Sequence, residues 1–125
     1  MSLELGRRGT ATLVVTSPDT ALAQHTGSVD VLSTPRVIAL CEEAAMAAVG
    51  DELPSGQTTV GMRVQLDHLQ PTSVGSEVVA HATLERVEGR RLTFTVQVKD
   101  RCGLVAVGKV TRAVVTTSTF LERAR

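Results

Sequence analysis

Apolar and polar residues alternate over three stretches in the second half of the chain. Over 58–69, Val60, Met62, Val64 and Leu66 fall on one parity, and Gly61, Arg63, Gln65 and Asp67 on the other. That is the pattern of a half-buried strand. Over 76–87, Val78, Ala80, Ala82 and Leu84 share one face, and over 91–100, Leu92, Phe94, Val96 and Val98 oppose Thr93, Thr95, Gln97 and Lys99. A fourth stretch, 104–116, is apolar on much of both faces, as a packed strand is. Glu88-Gly89 signals a tight hairpin, and breaks fall at 71–75 and 101–103. An earlier strand is predicted over 5–15, where Thr10, Thr12 and Val14 alternate with Ala11, Leu13 and Val15. Between it and residue 30 the pattern is weak. A long loop is expected there, with one helical turn near 20–24, and loops of that length often cover a site.

One helix stands out, over 33–50. Ser33 or Thr34 suits its cap, Pro35 its first helical position, and Gly50 the left-handed position just past its end. Val37, Ile38, Leu40, Cys41, Ala44, Ala45, Met46, Ala48 and Val49 are apolar almost all round, which predicts burial on every side. The order is strand, helix, then four antiparallel strands read as a meander. One helix covers five strands only when the sheet curls around it. The expected class is therefore α+β: a hot-dog fold, a five-stranded antiparallel sheet wrapped around one long central helix. Five strands leave an open edge, which pairing in a two-fold dimer would close.

The 125 residues fit one domain, 1–125, with room for a core that needs no staples. Thirteen basic residues balance thirteen acidic ones, so no electrostatic grip on nucleic acid or a membrane surface is expected. Two phenylalanines are the only aromatic residues, which argues against base-stacking platforms and a membrane belt. Cys41 and Cys102 form no metal motif and fit a reduced, cytoplasmic protein. The N-terminal stretch has no apolar run like that of a signal peptide, and no stretch reaches a membrane span. Residues 118–125 are expected to be a short extension or tail.

Candidate chemistry gathers in the helix and the strand over 58–69. Glu42 and Glu43 lie in the middle of an apolar helix, where a carboxylate must reach water, find a partner or shift its pKa. Being adjacent, only one can serve a given site. His68 continues the parity of Val64 and Leu66 and so points inward, where it could form an acid–base pair with Glu42. A histidine simply satisfied in the core is the plainer alternative. Thr34 lies eight residues before Glu42 on the same side of the helix, at an N-terminus that favours developing negative charge. It is otherwise only a cap. Gly61 marks a bulge or a close approach of backbone to ligand. His81 and His25 read as solvated. No phosphate-binding glycine loop, nucleophile elbow or metal-ligand spacing appears, and no cofactor is expected.

These residues resemble the fluoroacetyl-CoA thioesterase-like family of the hot-dog superfamily. The likeness runs from the helix to the final strand. Residues 31–34 and 41–42 look like that family's helix start, with its catalytic threonine and glutamate at the same separation. Gly61, His68 and the turn at 71–75 look like its glycine and catalytic histidine, and Val87-Glu88-Gly89-Arg90-Arg91-Leu92 like its hairpin. The resemblance implies a homodimer that binds acyl-CoA at the subunit interface and hydrolyses the thioester, with Thr34, Glu42 and His68 as its catalytic set. Gly61 would lie near the thioester and Arg90 and Arg91 near the coenzyme A phosphates, unless those arginines are merely solvated. Pro35 and Arg36 replace a glycine and an aromatic residue of the family, and residues 20–32 contain no aromatic. Both departures point to a different small or medium acyl group. A non-catalytic acyl-CoA-binding module on the same fold is the alternative, and whether dimers pair further into tetramers is left open.

Overall fold

The computed structural model describes residues 3–125; Met1 and Ser2, part of the stretch read above for a leader, lie outside the described residues. The elements are β1 (Arg8–Val14), α1 (Thr34–Val49), β2 (Gln57–His68), β3 (Glu77–Glu88), β4 (Arg91–Asp100), β5 (Gly103–Thr116) and a short α2 (Thr117–Glu122) where a short extension or tail is expected. All five strands join one antiparallel sheet in the order β1-β3-β4-β5-β2. The expected four-strand meander therefore holds only for β3, β4 and β5. Two-residue turns oblige those strands to lie side by side. The longer connection after His68, broken by Pro71, carries the chain past the sheet instead, so β2 pairs with β5 and forms an edge.

Helix α1 touches all five strands. Its approach to β1 depends on Gly9, where a Cβ would run into the backbone of Ala44 and Ala48. Val37, Leu40, Cys41, Ala44, Ala45, Ala48 and Val49 are buried against the inward rows of β3 and β4. Those rows are the ones alternation predicts: Val78, Ala80, Ala82 and Leu84, then Leu92, Phe94, Val96 and Val98. The helix is not buried on every side, however. Glu43, Met46 and Ala47 are exposed and Ile38 and Glu42 half-buried, because the sheet ends at edge strand β2 and leaves one flank uncovered.

The helix ends match expectation at the cap and differ beyond it. Ser33 is the cap, its hydroxyl accepting from the Arg36 amide at 3.1 Å. Thr34 is the first helical residue and Pro35 the second. Gly50 is right-handed (φ −59°) and runs on into a 3-10 turn, Gly50–Glu52. The last-turn carbonyl of Ala48 is met instead by Arg7 Nε at 2.8 Å.

Strand β2 carries a bulge between Gly61 and Arg63. It reverses the expected parity in the first half of the strand. Thr59, not Val60, is buried there, and Met62 is 51% exposed. Beyond the bulge Val64 and Leu66 pack on the core as predicted. The loop between β1 and α1 is held at its base by single bridges from Thr20 to Leu32 and from Val31 to Ser73. The predicted helical turn is present in it, with the Gln24 amide donating to the Thr20 carbonyl at 3.0 Å.

Candidate active site

Thr34, at the start of α1, and His68, at the end of β2, are brought together: Thr34 Oγ1 lies 2.8 Å from His68 Nδ1. The parity beyond the bulge aims His68 toward the helix, as expected. If the hydroxyl donates, Nε2 carries the ring proton; if Nδ1 donates, Nε2 is a free base. Nε2 itself is buried and has no hydrogen-bond partner. Burial holds the imidazole pKa below its ordinary value, against a smaller opposing effect from the Gln70 backbone. The pair lines a cleft of about 290 Å³ whose other walls include Ala21, Val29, Val31, Leu32 and Pro71. A neutral imidazole and a hydroxyl thus face an aliphatic pocket at a helix N-terminus.

Glu42 has a different partner. Its Oε1 accepts from Arg112 Nη1 at 2.8 Å, and Arg112 in turn donates to Thr59 Oγ1 and the Thr59 carbonyl, both at 2.9 Å. The Arg112 side chain is only 6% exposed and that of Glu42 31%. Burial pulls the guanidinium pKa down and Glu42 pulls it back up. A guanidinium starts so high that it stays charged here. Gly61 lies against the same carboxylate: a Cβ there would strike Glu42 Oε1. Room for this side chain is what the glycine visibly supplies. The neighbouring Cys41 thiol is pushed up to about 12, first by burial and then by the Glu42 charge, so it is an inert core residue.

Within one chain the two pairs stay apart. Eight residues along a helix span about 12 Å, so Thr34–His68 and Glu42–Arg112 occupy opposite halves of α1. The expected direct pair of His68 with Glu42 is not formed in the single chain. Glu43 points away and meets Arg36 at 3.3 Å. Arg90 and Arg91 are exposed on the β3–β4 hairpin, where they line a shallow cleft with Met62, Glu88 and Ala113. That cleft lies at the Glu42 end of β2. His25 and His81 are exposed, as read from the sequence. Among the described residues no three His, Cys, Asp or Glu side chains gather as a metal set. Among the described residues no helix is long and apolar enough to cross a membrane.

Arg112 is the residue of this arrangement that sequence reasoning missed. A signal for it existed: Val110, Arg112 and Val114 share one parity of β5, and the two valines are buried. A cation in an inward row needs a buried anion.

A sequence model of the fluoroacetyl-CoA-specific thioesterase family matches residues 15–118. The chain belongs to this family. It is 30% identical over 96 residues to the fluoroacetyl-CoA thioesterase of Streptantibioticus cattleyicolor, covering 77% of this chain and 69% of the relative. The crystal structure of a point variant of the fluoroacetyl-CoA-specific thioesterase, solved with fluoroacetate and coenzyme A, superposes with a TM-score of 0.88 at 27% identity, over 94% of this chain and 99% of that one. A hot-dog-like protein from Thermanaerovibrio acidaminovorans superposes with a TM-score of 0.89 at 27% identity, over 97% and 90%. The fold is thus the expected hot-dog fold. The family is one of thioesterases, enzymes that hydrolyse thioester bonds.

Proposed function

We propose that this chain hydrolyses the thioester of a small or medium acyl-CoA without a metal or cofactor, using Thr34, Glu42 and His68. The observation that carries this is the Thr34–His68 pair with its unpartnered Nε2, set in an aliphatic cleft. At about 290 Å³ the cleft is near the lower end of ligand pockets, about 300–1,000 Å³. That suits a short acyl group.

The separation of the two pairs inside one chain is bridged by a second copy. Strand β2 is an unpaired edge, and the uncovered flank beside it carries Ile38, Met46 and Met62. Two β2 strands pairing antiparallel about an axis near Val64 and Gln65 would set Gly61 of one copy opposite His68 of the other. The Glu42–Arg112 pair of one copy would then face the Thr34–His68 pair of the next. The exposed Arg90 and Arg91, near Gly61's end of β2, would lie by the entrance, where the coenzyme A phosphates need cations.

In that setting Glu42 acts as general base. It takes a proton from water as the water oxygen attacks the thioester carbon. Thr34 and the helix N-terminus stabilise the oxyanion. The carbon–sulfur bond breaks, and the proton that Glu42 took from water passes to the departing thiolate, taken up and released in turn by His68, so that both residues end in their starting state. The products are a carboxylic acid and free coenzyme A. The reduced state of Cys41 and Cys102 fits a cytoplasmic setting.

The test is thiol release from acyl-CoAs of graded length, including aryl groups, for the wild type beside Glu42→Gln and His68→Ala. Turnover of one class, lost in both folded variants, supports the proposal. No turnover, with acyl-CoA still raising Tm, would make the chain a binding module instead.

A further inference from the structure

We propose that Arg112 is a positioning residue for the reaction, fixing the Glu42 carboxylate in place. This rests on the thioesterase function above. Three observations converge. Arg112 is buried in an otherwise apolar row of β5. It spends two donor groups on Thr59, on the neighbouring strand, and only one on Glu42. Gly61, opposite it in the β2–β5 register, leaves the carboxylate its space.

The arrangement is that of a bracket. Thr59 anchors the guanidinium plane through its hydroxyl and its carbonyl, so the remaining Nη1 points one way. A carboxylate accepting from a fixed guanidinium loses its freedom to rotate. Only Oε1 is bonded, which leaves Oε2 to take a proton from water. The charged and titratable groups facing Glu42 among the described residues are Arg112 from β5 and the Cys41 thiol of its own helix; β2 contributes Thr59 and Gly61, neither charged.

The test compares wild type with Arg112→Gln, Arg112→Lys and Thr59→Val on the acyl-CoA the wild type turns over. Arg112→Gln should lower kcat at least tenfold with KM changed less than twofold. Arg112→Lys, which keeps the charge but not the fork, should recover only part of kcat. Thr59→Val keeps Arg112 and the Thr59 carbonyl but removes the hydroxyl that holds Nε; it should lower kcat several-fold, again with little change in KM. A thermal melt of each variant separates this from a loss of fold, which would lower Tm and the active fraction together. An active wild type with a folded Arg112→Gln unchanged in kcat overturns the inference. A wild type with no turnover overturns the thioesterase proposal itself, and the positioning role falls with it.

Discussion

Thr34 Oγ1 and His68 Nδ1 meet at 2.8 Å although 34 residues separate them in the chain. The contact joins the first residue of the central helix to the last residue of the edge strand. It orients an imidazole whose other nitrogen is buried without a partner. If the hydroxyl fixes the ring, Thr34→Val should leave the fold intact and lower kcat by roughly 10²-fold, the lower end of what a positioned proton donor or acceptor supplies. Steady-state thiol release beside a thermal melt checks this. Unchanged kcat would reduce Thr34 to an ordinary first-turn residue.

His68 also sets a pH dependence of stability. Burial keeps its folded pKa below the ordinary 6.5. As pH falls through 6.5, the unfolded chain takes up the proton first, so the unfolded state binds more protons. Stability from neutral His68 is full above that value and is lost as pH drops toward the folded pKa. Urea unfolding of wild type and His68→Gln between pH 7.5 and about 5 should show the wild-type curve falling more steeply. Parallel curves would mean that His68 titrates alike in both states.

Much of this was legible in the sequence. Strands β3 and β4 bury the rows that alternation marks, because regular pairing on both sides keeps their parity. In the first half of β2 the alternation misleads, because a one-residue bulge at Gly61–Arg63 reverses every side chain before it and period-two patterns do not show where an extra residue is inserted. Val60 and Met62 looked inward for that reason. Thr34 and His68 stand out in the sequence because a hydroxyl at a helix start and a histidine on an apolar parity are local signals, but that they meet each other is seen only in the fold. The Glu42–Arg112 pair is likewise joined only by the fold, its members being 70 residues apart.

Gly61 offers a separate check on that pair. A methyl group there collides with Glu42 Oε1, the one movable neighbour, since Arg112 Nη1 lies farther off at 3.6 Å. Gly61→Ala should thus displace the carboxylate from Arg112 while costing stability about 1–3 kcal/mol. The expected result is a kcat loss comparable to that of Arg112→Gln. Gly9→Ala is the contrast: its methyl meets the helix backbone at Ala44 and Ala48, which cannot rotate away. It should lower Tm more than Gly61→Ala and, in the folded fraction, leave kcat closer to wild type. A reversed ranking would mean that α1 can shift away from β1.

The composite site makes the sharpest prediction. If Thr34 and His68 of one copy work with Glu42 of another, two dead variants should rescue each other. His68→Ala retains Glu42, and Glu42→Gln retains Thr34 and His68. In a mixed dimer one site combines the two intact halves, while the other combines both defects. Random exchange makes half the dimers mixed, and each has one good site of two, so activity should recover to about a quarter of wild type. The mixture must be allowed to exchange subunits, for instance by dilution and reconcentration, with sedimentation confirming the dimer. Placing a charge at the exposed bulge by Met62→Asp should weaken the dimer and remove the recovery with it. Full wild-type dimerisation without any recovery would place Glu42 and His68 in separate roles and dissolve the shared site.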